Sequence, residues 1–186
     1  MLINPHWGDT VPNAVTASGL RLKMDLRLMD FADNNIPNYG CDEVVVEVFR
    51  HKYYKVKLKT IIAAKTHLNQ ILECHNSSLT DIPSITCPFI LISGYEVSLY
   101  SMYIPCPGLY FLDSLRHAWF PTTNDATTKH EIRNTLALLG CYVELCTSVK
   151  ARSQEERDSH KVHSRKMMND LTGIFFVVCL TLSLTK

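Results

Sequence analysis

The sequence predicts an α+β fold with a mixed or mostly antiparallel sheet. Two strand-like segments near the N-terminus are followed by a long helical segment. Three short apolar runs separated by Gly and Pro come next, and a second helical segment follows them. The expected order is therefore strand-strand-helix-strand-strand-strand-helix, which combines a sheet and helices in one domain.

The composition supports one folded domain. The 186 residues suffice for a hydrophobic core, and 46% hydrophobic with 20% charged residues is typical of globular proteins. The formal net charge is +1, so binding to nucleic acid or membrane requires a local patch rather than a global field. The seven cysteines form no CxxC pair and their number is odd, which argues against a zinc motif and a disulfide scaffold. We therefore expect reduced cysteines and an intracellular location, cytoplasmic or nuclear.

The first two predicted strands differ in their patterns. Residues 20–29, LRLKMDLRLM, alternate apolar with charged side chains, which is typical of a half-buried strand. Residues 43–49, EVVVEVF, are rich in valine and predict the second strand. The turn-like stretch FADNNIPNYG lies between them, so we expect a hairpin. Residues 1–17 are rich in Pro, Asn and Gly and are predicted to be irregular.

Two helices are predicted from apolar side chains that recur at helical spacing. The first runs from about residue 53 to 74, and its expected buried stripe consists of Tyr54, Leu58, Ile61, Ile62, Leu68, Ile71 and Leu72. The second begins near Thr128, where Glu131 completes a capping box. Its expected apolar face consists of Ile132, Leu136, Leu139 and Val143. Between the helices, residues 89–94, 97–104 and 108–115 predict an antiparallel meander.

The domain boundaries follow from changes in composition. Residues 18–149 form the predicted α+β domain, residues 150–170 are nearly all polar and predict a helix or linker, and residues 171–186 form an apolar tail. The tail is uncharged up to residue 185, but 15 helical residues span only about 22 Å, whereas the hydrocarbon core of a bilayer is about 30 Å thick. We expect the tail to pack on the domain as a helix or strand, or to be an unselected end of the reading frame. A membrane anchor is the alternative.

Two strand carboxylates and one helix lysine are candidates for metal-dependent chemistry. Asp25 lies on the charged face of the first strand and Glu47 on the second, so a hairpin would bring them together to hold Mg²⁺ through oxygen ligands. In a nuclease pattern a lysine follows the glutamate by two residues, but Phe49 occupies that position here. Lys65 is the replacement candidate, because it falls within the apolar stripe of the helix. The alternative is that the two acids simply face solvent and the lysine extends along the edge of the stripe.

A separate basic cluster crowds the junction between the second strand and the first helix. Its candidate nucleic-acid-binding residues are Arg50, Lys52, Lys55 and Lys59, with Lys57 among them in the sequence. Such a cluster can neutralise phosphates, and Tyr53 and Tyr54 can stack on bases. DNA or RNA is therefore the expected partner, and a solvated helix face is the alternative.

Four segments of the chain together resemble a family of uncharacterised proteins of mucoralean fungi. The segments are SGLRLKMDLRLM, KYYKVKLKTIIAAKTHLN, ISGYEVSLYSMYI and LYFLDSLRHAWFP, within about residues 18–149. The resemblance matches Asp25 to the strand aspartate of the family and Glu47 to its strand glutamate, and it implies a remote relation to the PD-(D/E)XK nuclease-like fold. The basic residue after the glutamate is displaced here, because VEVFRHKYY is shortened. Relatives are longer at the front, which favours a truncated gene copy.

These observations favour a non-catalytic or degenerate member of a nuclease-like fold, a pseudoenzyme that binds nucleic acid. Phe49, at the position of the expected lysine, is the residue that argues against catalysis. Two alternatives stay open. One is a weak Mg²⁺-dependent nuclease that uses Asp25, Glu47 and Lys65. The other is a membrane-associated interaction protein that is anchored by its tail.

Overall fold

The computed structural model describes residues 4–29, 38–45, 49–75, 85–106, 108–121, 126–159 and 175–176. Within these ranges the chain forms seven strands and three helices. In chain order they are β1 (Asn4–Thr10), α1 (Asn13–Ala17), β2 (Met24–Met29), β3 (Gly40–Val45), α2 (Arg50–His75), β4 (Thr86–Ser93), β5 (Glu96–Cys106), β6 (Leu109–Trp119), α3 (Ala126–Ser159) and β7 (Phe175–Phe176).

One mixed sheet contains these seven strands, in the order β1-β2-β3-β4-β5-β6-β7. The pairs β1–β2, β2–β3, β4–β5 and β5–β6 are antiparallel, and the pairs β3–β4 and β6–β7 are parallel. Parallel neighbours need a crossover connection, and α2 provides it between β3 and β4. The predicted α+β class and mixed sheet are confirmed, and the elements from β2 to α3 follow the predicted order.

The N-terminal segment is more ordered than its composition predicts. β1 pairs with β2 and α1 follows it, where the sequence predicts irregular structure. β1 is an edge strand whose register is irregular between Trp7 and Thr10, and Gly8 there has a φ of 123°, which favours glycine. Trp7 is 69% exposed, so this large side chain contributes little to the core. The strand sequence NPHWGDT lacks the alternation of apolar and polar residues that indicates a half-buried strand.

The two long helices contact opposite faces of the sheet at β3. Asp42 and Glu43 are consecutive on that strand, and consecutive strand side chains point to opposite faces. The Glu43 carboxylate contacts Lys59 of α2, whereas the Asp42 carboxylate contacts Tyr142 of α3. The largest apolar side chains that are completely buried in the resulting core are Met24, Tyr39, Leu68, Ile71, Phe89, Leu91, Leu99, Met102 and Leu138.

Helix α2 buries part of the predicted apolar stripe, since Ile61, Leu68 and Ile71 lie in the core as expected. Tyr54 and Leu58 are exposed, so their predicted burial is wrong. The buried positions begin further along the helix and include Thr60, Ile61, Ala63, Ala64, His67, Leu68 and Ile71. The Thr60 hydroxyl is satisfied within the helix, because it donates to the Val56 carbonyl at 2.9 Å. A search for large apolar side chains misses a buried face that contains small and polar residues.

Helix α3 also turns an unexpected face to the sheet. Ile132, Leu136 and Val143 are exposed, so the predicted apolar face is wrong. The buried positions include Thr135, Leu138, Tyr142, Cys146 and Val149. The Thr135 hydroxyl donates to the Trp119 carbonyl at 3.0 Å, which fixes the helix to the end of β6. The covered face of α3 therefore combines apolar side chains with a polar contact to the end of β6.

The bounds of α3 differ from the predicted domain boundary. The helix already includes Thr128, so the predicted capping position is wrong, and it continues past residue 149 into the segment predicted to be a helix or linker. Of the apolar tail, the structure describes only β7, which pairs with the first two residues of β6. The remaining predictions for residues 160–186 lie outside the described residues. None of the helices in the described ranges combines the length and apolar character that a membrane span needs.

Candidate functional site

Asp25 takes part in the junction between β2 and β3. Its Oδ2 accepts a hydrogen bond from the Val44 backbone N–H at 2.8 Å, and the residue is half-buried. Glu47, the other predicted metal ligand, lies outside the described residues, so its prediction is not tested by the structure. Among the residues that the structure describes, no group of three or more His, Cys, Asp or Glu side chains is arranged to hold a metal ion.

Lys65 contacts a strand that is far from Asp25. Its Nζ lies 4.7 Å from the centroid of the Tyr110 ring on β6, and partial burial lowers the pKa of the ammonium group. Asn69, one turn further along α2, accepts a hydrogen bond from the Tyr110 hydroxyl at 2.6 Å. β2 and β6 are four strand spacings apart in the sheet, or about 19 Å at about 4.8 Å per spacing. The structure therefore does not bring Lys65 and Asp25 together.

Asp42 on β3 is a buried carboxyl group that no sequence motif indicates. It is 2% exposed, and its two oxygens accept hydrogen bonds from the Ile90 N–H at 2.7 Å and the Tyr142 hydroxyl at 2.8 Å. Burial raises the pKa of this carboxyl group to about 7, although both hydrogen bonds oppose the shift. A Cβ on Gly40 would lie 2.9 Å from the ring Cζ of Tyr142 and would overlap its hydroxyl oxygen. Glycine at position 40 therefore makes room for the Asp42–Tyr142 contact.

Glu43, the next residue along β3, forms an ion pair on the other face of the strand. The Lys59 Nζ donates to Glu43 Oε1 at 2.6 Å. The carboxylate side chain is 5% exposed and the lysine side chain is 29% exposed. Lys59, one of the predicted nucleic-acid contacts, is thus engaged with the sheet, where it offsets a buried negative charge.

Lys57 also points at the sheet. Its Nζ donates to the Tyr100 hydroxyl at 3.0 Å and lies 4.4 Å from the centroid of that ring. The Tyr53 hydroxyl is 3.5 Å from the Tyr100 hydroxyl, and burial together with this neighbour raises the pKa of Tyr53. Tyr53 is therefore occupied by this contact, and Tyr54 is the exposed ring of the predicted pair.

The remaining basic residues of the predicted cluster lie at the N-terminal end of α2. We name this surface the α2 patch and define it by Phe49, Arg50, His51, Lys52, Tyr54 and Lys55. Arg50 and Lys55 are exposed and Lys52 is half-buried. The first turn of α2 contains no acidic residue. Arg50 and Lys52 thus lie in the first turn, at the positive end of the helix dipole, where they oppose the dipole instead of complementing it. Lys55 follows in the second turn.

Exposed rings accompany the cations of the α2 patch. Phe49 and Tyr54 are both more than half exposed. The Phe49 ring stacks on His51 with 6.1 Å between the ring centroids, and the Arg50 guanidinium lies 6.0 Å from the Tyr54 centroid. The patch therefore presents aromatic faces and positive charge to solvent together. Phe49, which occupies the position expected for a catalytic lysine, is a surface ring in this patch.

A second polar cluster is enclosed near the start of β3. Arg27 of β2, Asn38 and His67 of α2 are all buried. The Asn38 Nδ2 lies 3.4 Å from the His67 Nδ1. Burial, with a smaller contribution from the charge of Arg27, lowers the pKa of His67 to about 3. The imidazole is therefore neutral near pH 7, and it contributes no charge to the surface.

No family model, curated protein or solved structure was found to match this chain. The functional proposal therefore depends on the geometry of the described residues. The cations of the α2 patch can be predicted from the sequence, because Lys and Arg are concentrated in this short segment. Phe49 and His51 are missed as members of the patch, and the only signal for them is their position beside those cations.

Proposed function

We propose that this chain is a nucleic-acid-binding domain whose nuclease-like site is non-catalytic or degenerate, and that its α2 patch contacts a single-stranded segment of DNA or RNA. The observation that carries the proposal is the concentration of Arg50, Lys52 and Lys55 in the first two turns of α2, with no acidic residue in the first turn. The exposed rings of Phe49 and Tyr54 lie among these cations and supply a second kind of contact.

The charge pattern of the α2 patch favours a bound anion. Each cation near a helix N-terminus weakens the free helix by about 0.3–1 kcal/mol, because it lies at the positive end of the dipole. A phosphate at the same place interacts favourably with the basic side chains and with the positive end of the helix dipole. An arrangement that is unfavourable in the free protein therefore becomes favourable in a complex with phosphates.

The rings favour a single strand over a duplex. Bases inside a duplex stack on each other, whereas unpaired bases can offer their faces to aromatic side chains. Such stacking contributes about 1–3 kcal/mol per base, so Phe49 and Tyr54 can add substantially to the contribution of the phosphate contacts. The net charge of +1 agrees with binding through this local surface.

The likeness to the PD-(D/E)XK nuclease-like fold and the resemblance to the fungal family are part of the proposal. The hairpin β2–β3, the helix α2 and the parallel strand β4 are the elements that support the fold-level comparison. The described acidic groups nearby are engaged, since Asp25 accepts a backbone N–H and Glu43 pairs with Lys59. These contacts favour a protein without nuclease activity over the weak nuclease, and plasmid cleavage in the presence of Mg²⁺ tests the choice directly.

Fluorescence anisotropy with labelled single-stranded DNA and RNA tests the binding. We expect a measurable Kd for the full chain at about 50 mM salt, with an affinity that falls linearly on a log–log plot against salt. Contact with three phosphates of a single strand predicts a slope of about −2. Replacing Arg50 and Lys55 together by Glu should lower the affinity by roughly tenfold or more, because two phosphate contacts become repulsive.

Matched variants separate the patch from general charge effects. Lys129 and Arg133 are exposed on α3, and Glu at both positions makes the same change in net charge away from the α2 patch. This control should bind as the wild type does. Tyr54→Ala should weaken binding and leave the salt slope unchanged, because the ring contacts a base and not a phosphate. Equal losses in the two charge variants, or no binding of any single strand at about 50 mM salt, would contradict the proposal.

A further inference from the structure

Strand β6 contains a bulge that places two reactive side chains on one face of the sheet. Its register with β5 shifts by one residue at Leu115. Ser114 and His117 are three residues apart, and a regular strand would place them on opposite faces. Their partners on β5 are Tyr100 and Ser98, which are two residues apart and share a face. The bulge therefore brings Ser114 and His117 to the same side.

Ser114 and His117 are in hydrogen-bond contact across the bulge, and a carboxylate lies behind the imidazole. The Ser114 Oγ lies 2.9 Å from Nε2 of His117. At the other nitrogen, Nδ1 lies 3.0 Å from the Ser98 Oγ and 3.4 Å from the Glu96 Oε1. The Ser98 hydroxyl donates to the same Glu96 oxygen at 3.2 Å. A hydroxyl, an imidazole and a carboxylate thus succeed one another within hydrogen-bond reach.

The hydrogen bonds assign the tautomer of the neutral imidazole. The Ser98 hydrogen is directed at Glu96, so the Ser98 oxygen accepts the hydrogen bond from Nδ1 of His117. Nδ1 therefore carries the hydrogen, and Nε2 presents its lone pair to the Ser114 hydroxyl. This is the arrangement in which a histidine can remove a proton from a serine while a third group orients the ring.

One side of the site is exposed to solvent, and the other side packs against buried residues. Ser114 is exposed, and the side chains of His117 and Glu96 are 51% and 36% exposed. Ser98, in contrast, is buried. A substrate can therefore reach the hydroxyl and Nε2 from solvent, while packing around Ser98 restricts the orientation of the imidazole.

A buried tyrosine and a lysine support the site from the side of α2. The Tyr100 ring meets the His117 ring at an interplanar angle of 90°, with 6.3 Å between the centroids. The Lys57 ammonium donates to the Tyr100 hydroxyl and lies 4.4 Å from the centroid of its ring. Ser114 is the direct partner of Tyr100 on the neighbouring strand. Lys57 thus places positive charge close to the strand pair that carries the serine.

We propose that Ser114, His117 and Glu96 form a serine acyl-transfer site that hydrolyses carboxylic esters. Ser114 is the nucleophile, His117 is the general base and then the general acid, and Glu96 is the positioning residue. An ester carbonyl can reach the nucleophile from solvent because Ser114 is exposed. This site does not depend on nucleic-acid binding by the α2 patch. No GxSxG motif surrounds Ser114, so the sequence gives no sign of it.

Water is the only co-reactant that the reaction needs. The Ser114 Oγ bonds to the ester carbonyl carbon while its proton passes to Nε2 of His117, and the carbonyl π electrons move to oxygen. When the carbonyl re-forms, the bond to the alcohol breaks and the leaving oxygen takes the proton from His117. Water then attacks the acyl carbon and gives a proton to Nε2. Collapse of that adduct releases the carboxylic acid, and Ser114 recovers the proton.

Covalent labelling with a fluorophosphonate tests the nucleophile directly. An activated serine displaces fluoride from this probe and keeps the phosphonyl group, so mass spectrometry of the digested full chain identifies the residue. Hydrolysis of 4-nitrophenyl acetate is measured in parallel. We expect the label on Ser114, and a loss of about a hundredfold or more in kcat/KM for Ser114→Ala and for His117→Gln.

Three variants provide the controls. Ser148→Ala removes an exposed serine from α3 and should retain labelling and hydrolysis. Glu96→Gln should lower kcat and leave KM unchanged, and Glu96→Asp should restore part of kcat, because a positioning carboxylate acts on the imidazole and not on the substrate. Far-UV circular dichroism should be the same for all variants, since the substituted side chains are not in the core. Equal labelling of wild type and Ser114→Ala, or no modification of Ser114 in the wild type, would overturn the proposal.

Discussion

Glu43 and Asp42 are neighbours on β3 but lie in different electrostatic surroundings. Glu43 faces α2 and forms an ion pair with the ammonium of Lys59, whose side chain reaches solvent. Asp42 faces α3, where the Tyr142 hydroxyl and the Ile90 N–H donate hydrogen bonds but bring no positive charge. Burial then raises the pKa of Asp42 to about 7. On one face of the strand, the buried carboxylate is stabilised by a lysine. On the other face, the protonation of the buried carboxyl group changes near neutral pH.

The difference follows from what each helix offers to the strand. A lysine on α2 can keep its ammonium group partly hydrated while its long stem lies along the sheet. A tyrosine on α3 can donate one hydrogen bond, but it cannot neutralise a carboxylate. A buried carboxyl group without a cation favours its neutral form. Two adjacent acidic residues in a sequence can thus have different surroundings after folding, one beside a cation and the other without one.

The largest expected effect is a pH dependence of stability that Asp42 causes. Its pKa rises from the usual 3.8 to about 7 in the folded chain, so between these values the folded state binds more protons than the unfolded state. The contribution of Asp42 to the free energy of unfolding should therefore fall as the pH rises through that window. Replacing Asp42 by Asn removes this contribution. Relative to wild type, the Asn variant should gain up to about 4 kcal/mol between low and high pH.

Urea unfolding followed by far-UV circular dichroism at a series of pH values measures that difference. His67, whose pKa burial lowers to about 3, titrates in both proteins, so its contribution cancels on subtraction. The comparison between variant and wild type is therefore specific to Asp42. A stability difference that stays constant across the window would show that Asp42 is ionised in the folded chain like an ordinary carboxylate.

A second test crowds the Asp42 face of β3. Gly40→Ala places a Cβ 2.9 Å from the Cζ of Tyr142, against a hydroxyl that Asp42 holds in place. We expect a loss of about 1–3 kcal/mol in the free energy of unfolding, and a smaller loss in a Tyr142→Phe background. Gly140→Ala is the matched control, because the residue lies inside α3 and its Cβ would meet no heavy atom within 4 Å apart from its chain neighbours and the adjacent helix backbone. It should gain about 0.5–1 kcal/mol. Equal effects of the two substitutions would contradict the close approach of Tyr142.

The smallest expected effect concerns the Glu43 face. Lys59→Met keeps the apolar stem but withdraws the ammonium group from a buried carboxylate, and it should lower the free energy of unfolding by about 2 kcal/mol. Lys55→Met alters an exposed lysine of the same helix and should change stability by less than about 0.5 kcal/mol. Single-strand binding should show the reverse order, with the larger loss for Lys55→Met. A loss of binding in Lys59→Met alone would contradict this division of α2.

The elements of the fold follow from the sequence more readily than their buried faces do. The apolar run 97–104 lies within β5, and the run 108–115 overlaps most of β6, because turn residues mark where such strands end. The buried stripe of α2 also contains the polar residues Thr60 and His67, which lie on the face of the helix that packs against the sheet. Helix propensity and apolar spacing do not determine which face of a helix a neighbouring element covers. The spacing predicts burial of Leu58 and Leu136 for this reason, but both are exposed.

The candidate sites differ in the same way. The cations of the α2 patch are close in sequence, so their density alone predicts a basic surface. Asp42 and Tyr142 are 100 residues apart, and only the packing of α3 on β3 brings them together. Ser114 and His117 are close in sequence, but their contact depends on the bulge at Leu115, and the residue pattern does not mark it. Local chemistry is therefore predictable here, and chemistry created by tertiary contacts is not.

Both tryptophans of the chain lie at the surface, so their fluorescence should be a weak probe of unfolding of the core. Trp7 on the edge strand β1 is 69% exposed, and Trp119 at the end of β6 is 57% exposed. Water already surrounds much of each indole in the folded chain, so opening of the core should change their fluorescence little. The buried rings of Tyr39, Tyr100 and Tyr142 are surrounded by packed side chains instead. The tyrosine bands in near-ultraviolet circular dichroism should therefore report loss of core packing better than tryptophan fluorescence does.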